Sequence, residues 1–358
     1  MNAHNLIDLA ELSKEDLDEL IQLAGVIMDN PLNYMDDCHG KIIATLFYEP
    51  STRTQMSFQT AMMRLGGRVI GFDNPVNSSV SKGESLKDTI RVISNYTDVI
   101  VIRNPYEGSA LAASMFSKAP VINAGDGGHL HPTQTLTDIV TLWYEKGRLD
   151  HLTIGLCGDI KNGRTVHSLI KTLSKYEGNR FIMISTSQLQ APQYIIDVLE
   201  ESGCEYSFSN SLEESISELD VLYMTRIQRE RFASQEEYEA QKGIYVLDTQ
   251  KLEKAKESLK ILHPLPRVDE ITVDVDYDPR AKYFEQAEYG MYARMALIVK
   301  MLANNSQKQL PPKIESTHNE MCRNPRCITS TESYLPNLFT TGEDGRLVCS
   351  YCEHELEK

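Results

Sequence analysis

Residues Ile42–Phe47 read Ile-Ile-Ala-Thr-Leu-Phe, Tyr48 to Thr54 follow as Tyr-Glu-Pro-Ser-Thr-Arg-Thr, and Gln55–Leu65 carries a helical pattern. An unbroken apolar run predicts a strand buried on both faces, as in a parallel sheet. The polar segment therefore joins a strand to the start of a helix. Backbone N–H groups at a helix N-terminus attract anions, and the helix dipole adds to this. Ser51, Thr52 and Thr54 add hydroxyls, and Arg53 adds a charged fork suited to phosphate or carboxylate. The segment also reads as an ordinary N-cap by Ser51 with Arg53 on the surface. It lacks the glycines and lysine of a P-loop, so a nucleoside triphosphate is not implied.

The same alternation extends outward. Apolar runs at Arg68–Phe72, Val99–Ile102 and Val121–Asn123 predict further strands, and a second set lies at Thr153–Cys157, Phe181–Ile184, Val221–Met224 and Lys260–Leu262. Helix patterns lie between them at Leu86–Asn95, Thr135–Lys146 and Thr165–Ser174. Ser13 and Asp16 mark an earlier helix start, with Leu17, Leu20, Ile21 and Ala24 as its stripe. The predicted fold class is α/β: two doubly wound parallel-sheet domains plus a small C-terminal zinc module. The expected boundaries are 1–150 with a return helix at 290–303, then 151–289, a polar linker at 304–320, and the module at 321–358.

With 358 residues, 41% hydrophobic and 24% charged, the chain is long enough for two domains and an appendage. No apolar run reaches membrane-span length, and the N-terminus lacks signal-peptide features, so a cytoplasmic protein with no membrane partner is expected. The net charge of -15 argues against nucleic acid as a partner. It also requires any anion site to concentrate positive charge locally. Of seven cysteines, four cluster as Cys322-x4-Cys327 and Cys349-x2-Cys352, a spacing suited to tetrahedral zinc. Inert thiols or a disulfide pair are the alternatives, and His354 is a possible substitute ligand. With four thiolates and no open position, the metal is expected to be structural.

Other polar clusters fall at predicted strand ends or loops: Ser78 to Glu84, Arg103, His131 to Gln134, Arg164, Thr225 to Gln228, and His263 to Arg267. Each has an ordinary reading: a solvated loop, a structural histidine, surface arginines, a rigid proline turn. Together with Ser51-Thr52-Arg53-Thr54, their order resembles the aspartate and ornithine carbamoyltransferases from about Leu6 to Leu302. The resemblance implies carbamoyl transfer from carbamoyl phosphate to L-aspartate, with no organic cofactor. By it, Ser51, Thr52, Arg53, Thr54 and Arg103 hold the phosphate, and Thr52, Arg103 and His131 surround the carbonyl oxygen. Gln134 and the carbonyls of Pro264 and Leu265 hold the carbamoyl amino group. Lys82 and Ser78 are expected to reach a neighbouring subunit's site, which implies a homotrimer or a larger assembly of trimers, and this loop departs somewhat around Ser79-Val80-Ser81. Arg164, Arg226 and Gln228, with Lys82 and Leu265, are the expected aspartate contacts. The resemblance also implies a cis bond at Leu265–Pro266, and a bridging of domains or loops by Glu49 and Arg231, with Arg164, when the site closes. Pro264 stands where the ornithine branch has cysteine, which favours the aspartate branch.

The cysteine segment is similar to the zinc domain of the family's regulatory chain. The nucleotide-binding domain that precedes it there has no counterpart, so little direct response to nucleotides is expected. A carbamoyltransferase for another amine, a non-catalytic scaffold and a nucleic-acid finger are the rival readings. The retained Arg53, Lys82, Arg103, His131 and Gln134 weigh against a scaffold, and the acidic balance of 321–358 weighs against a finger.

Overall fold

The computed structural model describes residues 4–227, 229, 232, 234–303, 310–342 and 345–356. Gln228, Arg231 and part of the expected linker, 304–309, lie outside the described residues. The chain divides into two compact units: Met1–Thr133 with Met291–Lys358, and Gln134–Gly290.

In the first unit the chain runs α1 (Lys14–Asp29), β1 (Ile42–Phe47), α2 (Thr52–Arg64), β2 (Arg68–Phe72), α3 (Leu86–Tyr96), β3 (Val99–Asn104), α4 (Ser109–Ser114) and β4 (Val121–Asp126). α5 (Pro132–Lys146) begins here and continues into the second unit. Ser13 caps α1 by accepting from Asp16 N (3.1 Å), and Leu17, Leu20, Ile21 and Ala24 are buried beneath it. The sheet order is β2-β1-β3-β4, all parallel. β3 and β4 are buried along nearly their whole length, β3 through the apolar run Val99–Ile102 and β4 with its Asn123 and Asp126 hydrogen-bonded, whereas the edge strand β2 is largely open. The chain leaves β1 in one direction to β2 and returns on its other side as β3. The β1/β3 boundary is therefore the switch point, where ligands of open α/β sheets bind beyond the strands' carboxyl ends.

The second unit runs β5 (Thr153–Cys157), α6 (Arg164–Leu173), β6 (Arg180–Ile184), α7 (Gln193–Glu201), β7 (Glu205–Ser209), α8 (Leu212–Ser215), β8 (Val221–Met224), α9 (Gln235–Gln241), α10 (Thr249–Leu252) and β9 (Lys260–Leu262). Its parallel order, β7-β6-β5-β8-β9, puts the switch point between β5 and β8. α11 (Tyr283–Ala303) begins in this unit and ends in the first, starting before the expected position 290. β7 was not anticipated. It is an edge strand without an apolar run, and Phe208 on it is 50% exposed.

The cysteine-bearing tail folds as a three-stranded antiparallel sheet, β10 (Phe339–Thr341), β11 (Leu347–Cys349) and β12 (Glu355–Leu356). It has no separate core. Cys327, Ile328, Leu335, Leu338, Phe339 and Tyr351 share one cluster with Ala110, Ala112, Ala113 and Met115. Backbone bonds link Glu107 N to Arg326 O (2.8 Å) and Ile328 N to Glu107 O (2.9 Å), and Asn324 Nδ2 donates to Glu107 Oε2 (2.7 Å). Gly108, with φ +80, lets the backbone pass against Tyr351, where a Cβ would meet side chain and carbonyl at 2.5 Å.

Candidate active site

The first unit's polar cluster begins at the end of β1. α2 starts at Thr52, and Ser51 takes the N-cap position without using its hydroxyl as a cap. The ordinary-cap reading is thus not what the hydroxyl does. Ser51 leaves the first-turn N–H groups of α2 uncapped by its own side chain, and such a helix start is suited to an anion. Arg53 is exposed at this helix start.

Arg103 is the penultimate residue of β3, and its register partner is Phe47. Tyr48 N donates to Arg103 O (2.8 Å), which holds the two strand ends together. The guanidinium folds back over the switch point: Nη1 donates to Ala124 O (3.1 Å) and Nη2 pairs with Glu49 (2.6 Å). Burial pushes its pKa down while Glu49 pulls it up, and an arginine so placed stays cationic. Burial likewise lowers Arg53. Two guanidiniums beside the switch point supply the local positive charge that a chain of net charge -15 lacks overall.

Gly125 explains how β4 passes under this group. Its φ is +120, and a Cβ there would lie 2.6 Å from Arg103 Nη1 and 3.5 Å from His131 Cδ2. Arg103 and His131 therefore flank one glycine. His131 is 7% exposed and immediately precedes α5. The turn leading to it is built on buried Asp126, which accepts from Leu130 N (2.9 Å), Gly108 N (2.8 Å) and Asn123 Nδ2 (3.2 Å).

Lys82 ends a short 3-10 turn, Ser79–Lys82, before α3. Both it and Ser81 are exposed, and the loop lines an open hollow of about 560 Å³ with Phe72, Val76, Thr89 and Val92. Ser78 is engaged locally: its hydroxyl donates to Pro75 O (2.8 Å) and accepts from Val80 N (3.3 Å).

In the second unit, Arg164 opens α6 after β5, and Arg226 follows β8. Both stand at the β5/β8 switch point. Thr225 Oγ1 accepts from Asp159 N (2.9 Å) and donates to Cys157 O (3.0 Å), and Asp159 holds Asn162. Gly158, with φ +114, is needed because a Cβ would press on Thr225 at 2.5 Å. The loops bearing the two arginines are thus tied to each other. His167 adds to this: Nε2 bonds Ile160 O (2.6 Å) and Nδ1 meets Tyr194 OH (2.7 Å).

Gln134, Pro264 and Leu265 are linked through buried polar groups that the sequence did not single out. Asp138 Oδ1 accepts from Gln134 Nε2 (2.8 Å) and Gln286 Nε2 (2.7 Å), and Oδ2 accepts from Tyr223 OH (2.9 Å). Gln286 Oε1 accepts from His263 N (2.9 Å). Gln134 turns its amide nitrogen to Asp138 and so presents its oxygen elsewhere. His263 Nδ1 accepts from Leu265 N (2.7 Å), so its proton sits on Nε2, which faces Glu270 at 2.7 Å. Burial pushes Glu270 up, but bonds from His263 and backbone N–H groups leave it below the usual range. Leu265 has φ +49, and the Leu265–Pro266 bond is cis.

The sulfurs of Cys322, Cys327, Cys349 and Cys352 all lie within 4.8 Å of one another, with Cys322–Cys352 at 3.6 Å and Cys327–Cys349 at 4.0 Å. Four thiolates about 2.3 Å from one tetrahedral ion stand roughly 3.8 Å apart. The cluster fits a structural metal. Among the described residues, no helix is long and apolar enough to cross a membrane.

Comparison with known proteins agrees with this geometry. Residues 4–144 match the carbamoyl-P binding domain of aspartate/ornithine carbamoyltransferase, and 150–301 match its Asp/Orn binding domain. Residues 320–358 match the metal binding domain of the aspartate carbamoyltransferase regulatory chain. An aspartate carbamoyltransferase catalytic subunit of Clostridium perfringens is 59% identical over 302 residues, covering 84% of this chain and 98% of that protein. The catalytic subunit of M. jannaschii aspartate transcarbamoylase is 47% identical with a TM-score of 0.80, over 85% of this chain and 99% of that one. Aspartate transcarbamoylase from Trypanosoma cruzi, solved with N-(phosphonacetyl)-L-aspartic acid, is 38% identical with a TM-score of 0.78, over 82% of this chain and 94% of that one. The chain belongs to the aspartate carbamoyltransferase family and carries, on the same polypeptide, a metal-binding domain of the regulatory-chain type.

Proposed function

We propose that the chain transfers the carbamoyl group of carbamoyl phosphate to L-aspartate, giving N-carbamoyl-L-aspartate and phosphate, an early step of de novo pyrimidine synthesis. One observation carries this reading. Each parallel sheet has a pair of arginines at its switch point, Arg53 and Arg103 in one and Arg164 and Arg226 in the other. The first pair, with an uncapped helix start, suits a phosphate. The second pair suits a dicarboxylate, because each guanidinium grips one carboxylate bidentately.

In the reaction the neutral amine of aspartate attacks the carbamoyl carbon and forms the new C–N bond. The C–O bond to phosphate breaks, its electron pair leaves with phosphate, and the proton lost by the amine passes to the departing phosphate. Thr52, Arg103 and His131 stabilise the charge on the carbonyl oxygen. Ser51, Thr52, Arg53, Thr54 and Arg103 hold the leaving phosphate. Gln134 accepts from the carbamoyl amino group through the oxygen that Asp138 leaves outward, alongside the carbonyls of Pro264 and Leu265. Arg164, Arg226 and Gln228, with Lys82 and Leu265, bind aspartate. Residues 1–150 with the helix at 290–303 serve carbamoyl phosphate, 151–289 serve aspartate, and 304–320 link to the metal module at 321–358.

Zinc is the metal of the four-cysteine site, since the spacing and four soft ligands suit it. The protein works as a cytoplasmic homotrimer in which Ser78 and Lys82 serve the neighbouring subunit. Support comes from Val76 and Val92, 70% and 43% exposed beside the Lys82 loop, an apolar surface suited to a partner.

Arg226→Ala tests the substrate assignment. It should raise KM for aspartate by about 30-fold or more while leaving carbamoyl phosphate affinity within about twofold, given the 2–5 kcal/mol typical of a lost charge contact. Equal losses for both substrates would refute a dedicated aspartate contact.

A further inference from the structure

We propose that the metal module is a positioning element for the Lys82 loop, acting through Glu332 and Tyr334 as caps on α3. This rests on the role given to Lys82 above. Helix α3 begins at Leu86, four residues after Lys82. The first N–H groups of a helix need partners from outside it. Here Leu86 N donates to Glu332 Oε1 (2.9 Å) and Lys87 N to Tyr334 OH (2.9 Å). Only the third, Asp88 N, is capped locally, by Ser85 Oγ (3.1 Å). Two of the three are therefore held by side chains nearly 250 residues later in the chain.

The Glu332 carboxylate also meets the positive end of the helix dipole. Tyr334 is fixed by packing: its ring stacks edge-on with Phe116 at 5.8 Å, and Lys87 Nζ lies 5.6 Å from its centroid. Behind it, Glu332 N donates to Ile328 O (3.0 Å), and Ile328 follows the metal-site residue Cys327. The path from the thiolates to the helix start is short and rigid.

The helix start is in turn continuous with the loop. Thr89 Oγ1 donates to Glu84 Oε2 (2.9 Å), and Glu84 N and Gly83 N return to Ser79 O (3.3 Å) and Val80 O (2.9 Å). Gly83, with φ +88, ends the turn that carries Lys82. Loosening the first turn of α3 releases Glu84 and with it the base of the Lys82 loop. A module stabilised by its metal thereby links the geometry of a catalytic loop to metal occupancy.

The test uses the full-length, zinc-loaded protein with Glu332→Ala, Glu332→Gln and Tyr334→Phe. Amide exchange across residues 78–89, zinc content and kcat/KM are measured together. The account expects Glu332→Ala to speed exchange at Leu86 and in the loop by about fivefold, the size of a typical lost cap. It expects kcat/KM to fall several-fold with zinc content unchanged, and Glu332→Gln, which keeps an acceptor, to restore both. Tyr334→Phe should change less, because the Lys87 amide is exposed to water. Unchanged exchange in Glu332→Ala would overturn the proposal. So would faster exchange with undiminished kcat/KM, provided Lys82→Ala is inactive. Full activity in Lys82→Ala would instead refute the role of Lys82, and the exchange data would still decide whether the module holds the loop.

Discussion

Replacing Gly125 by alanine isolates the placement of Arg103 from its chemistry. The added methyl would sit 2.6 Å from Arg103 Nη1, where ordinary contact begins near 3.4 Å, so the guanidinium must retreat by roughly 0.8 Å. That shift strains both anchors of the group, the bond to Ala124 O at 3.1 Å and the pair with Glu49 at 2.6 Å. A misplacement of about 1 Å in a catalytic donor costs on the order of 100-fold in rate. Losing one oxyanion donor outright costs about 100- to 1,000-fold. The expected fall in kcat/KM for carbamoyl aspartate formation is therefore about 100-fold. The backbone at φ +120 adds strain of about 1–3 kcal/mol for a non-glycine residue, against a total stability of about 5–15 kcal/mol, so the variant should still fold. Gly40→Ala is the control: its φ is +76, but no heavy atom lies within 4 Å of the added Cβ. It should lose stability yet keep activity. Steady-state kinetics and thermal unfolding of both variants decide the matter. If Gly125→Ala keeps activity within threefold of the parent, Arg103 is not held where the reaction needs it.

Two further outcomes follow from the polar framework. Burial holds His167 down to about 4 despite its bond to Ile160 O, so the unfolded chain takes up a proton near 6.5 that the folded chain refuses. Its neutral form stabilises the fold fully above pH 6.5, and that contribution is lost as pH falls towards 4, at no more than about 1.4 kcal/mol per pH unit. Chemical unfolding of the parent and His167→Gln across this window should show a shallower slope in the variant, and identical slopes would refute the assignment. Zinc should be present at one ion per chain, and its removal by chelator should lower the melting temperature of the whole protein, because the module shares its apolar cluster with Ala110, Ala112, Ala113 and Met115. Metal analysis and calorimetry, with sedimentation to follow the trimer, test this. A chelated protein that melts unchanged would show that the cluster needs no metal.

What the sequence disclosed follows from what is local. Strands such as Val99–Asn104 and Thr153–Cys157 announce themselves because both faces are buried and a run of four residues carries no polar side chain. β7 does not, since an edge strand needs only one covered face and Glu205–Ser209 carries polar residues at Glu205, Ser207 and Ser209. The start of α11 was equally hidden, because its first turns mix buried Tyr283 and Gln286 with exposed Phe284 and so lack a clean stripe. Arginines at strand ends could be located from their neighbours in the chain. The groups that orient them could not: Asp138 meets Gln286 and Tyr223 across 148 and 85 residues. Gly125 looked like any loop glycine until the approach of Arg103 was seen. The cysteine spacing pointed to a metal, but not to the surface the module covers, since Glu107 and Asn324 meet across 217 residues.

The most direct test of the central claim is an acceptor comparison with purified protein. Carbamoyl phosphate is supplied at saturation, and phosphate release and ureido product are measured with L-aspartate, L-ornithine and other amino acids. The account predicts stoichiometric carbamoyl aspartate and phosphate with L-aspartate, and at least about 1,000-fold lower kcat/KM with L-ornithine, whose cationic side chain cannot answer an arginine and leaves it unpaired. Carbamoylation of another amine in preference to aspartate would contradict it.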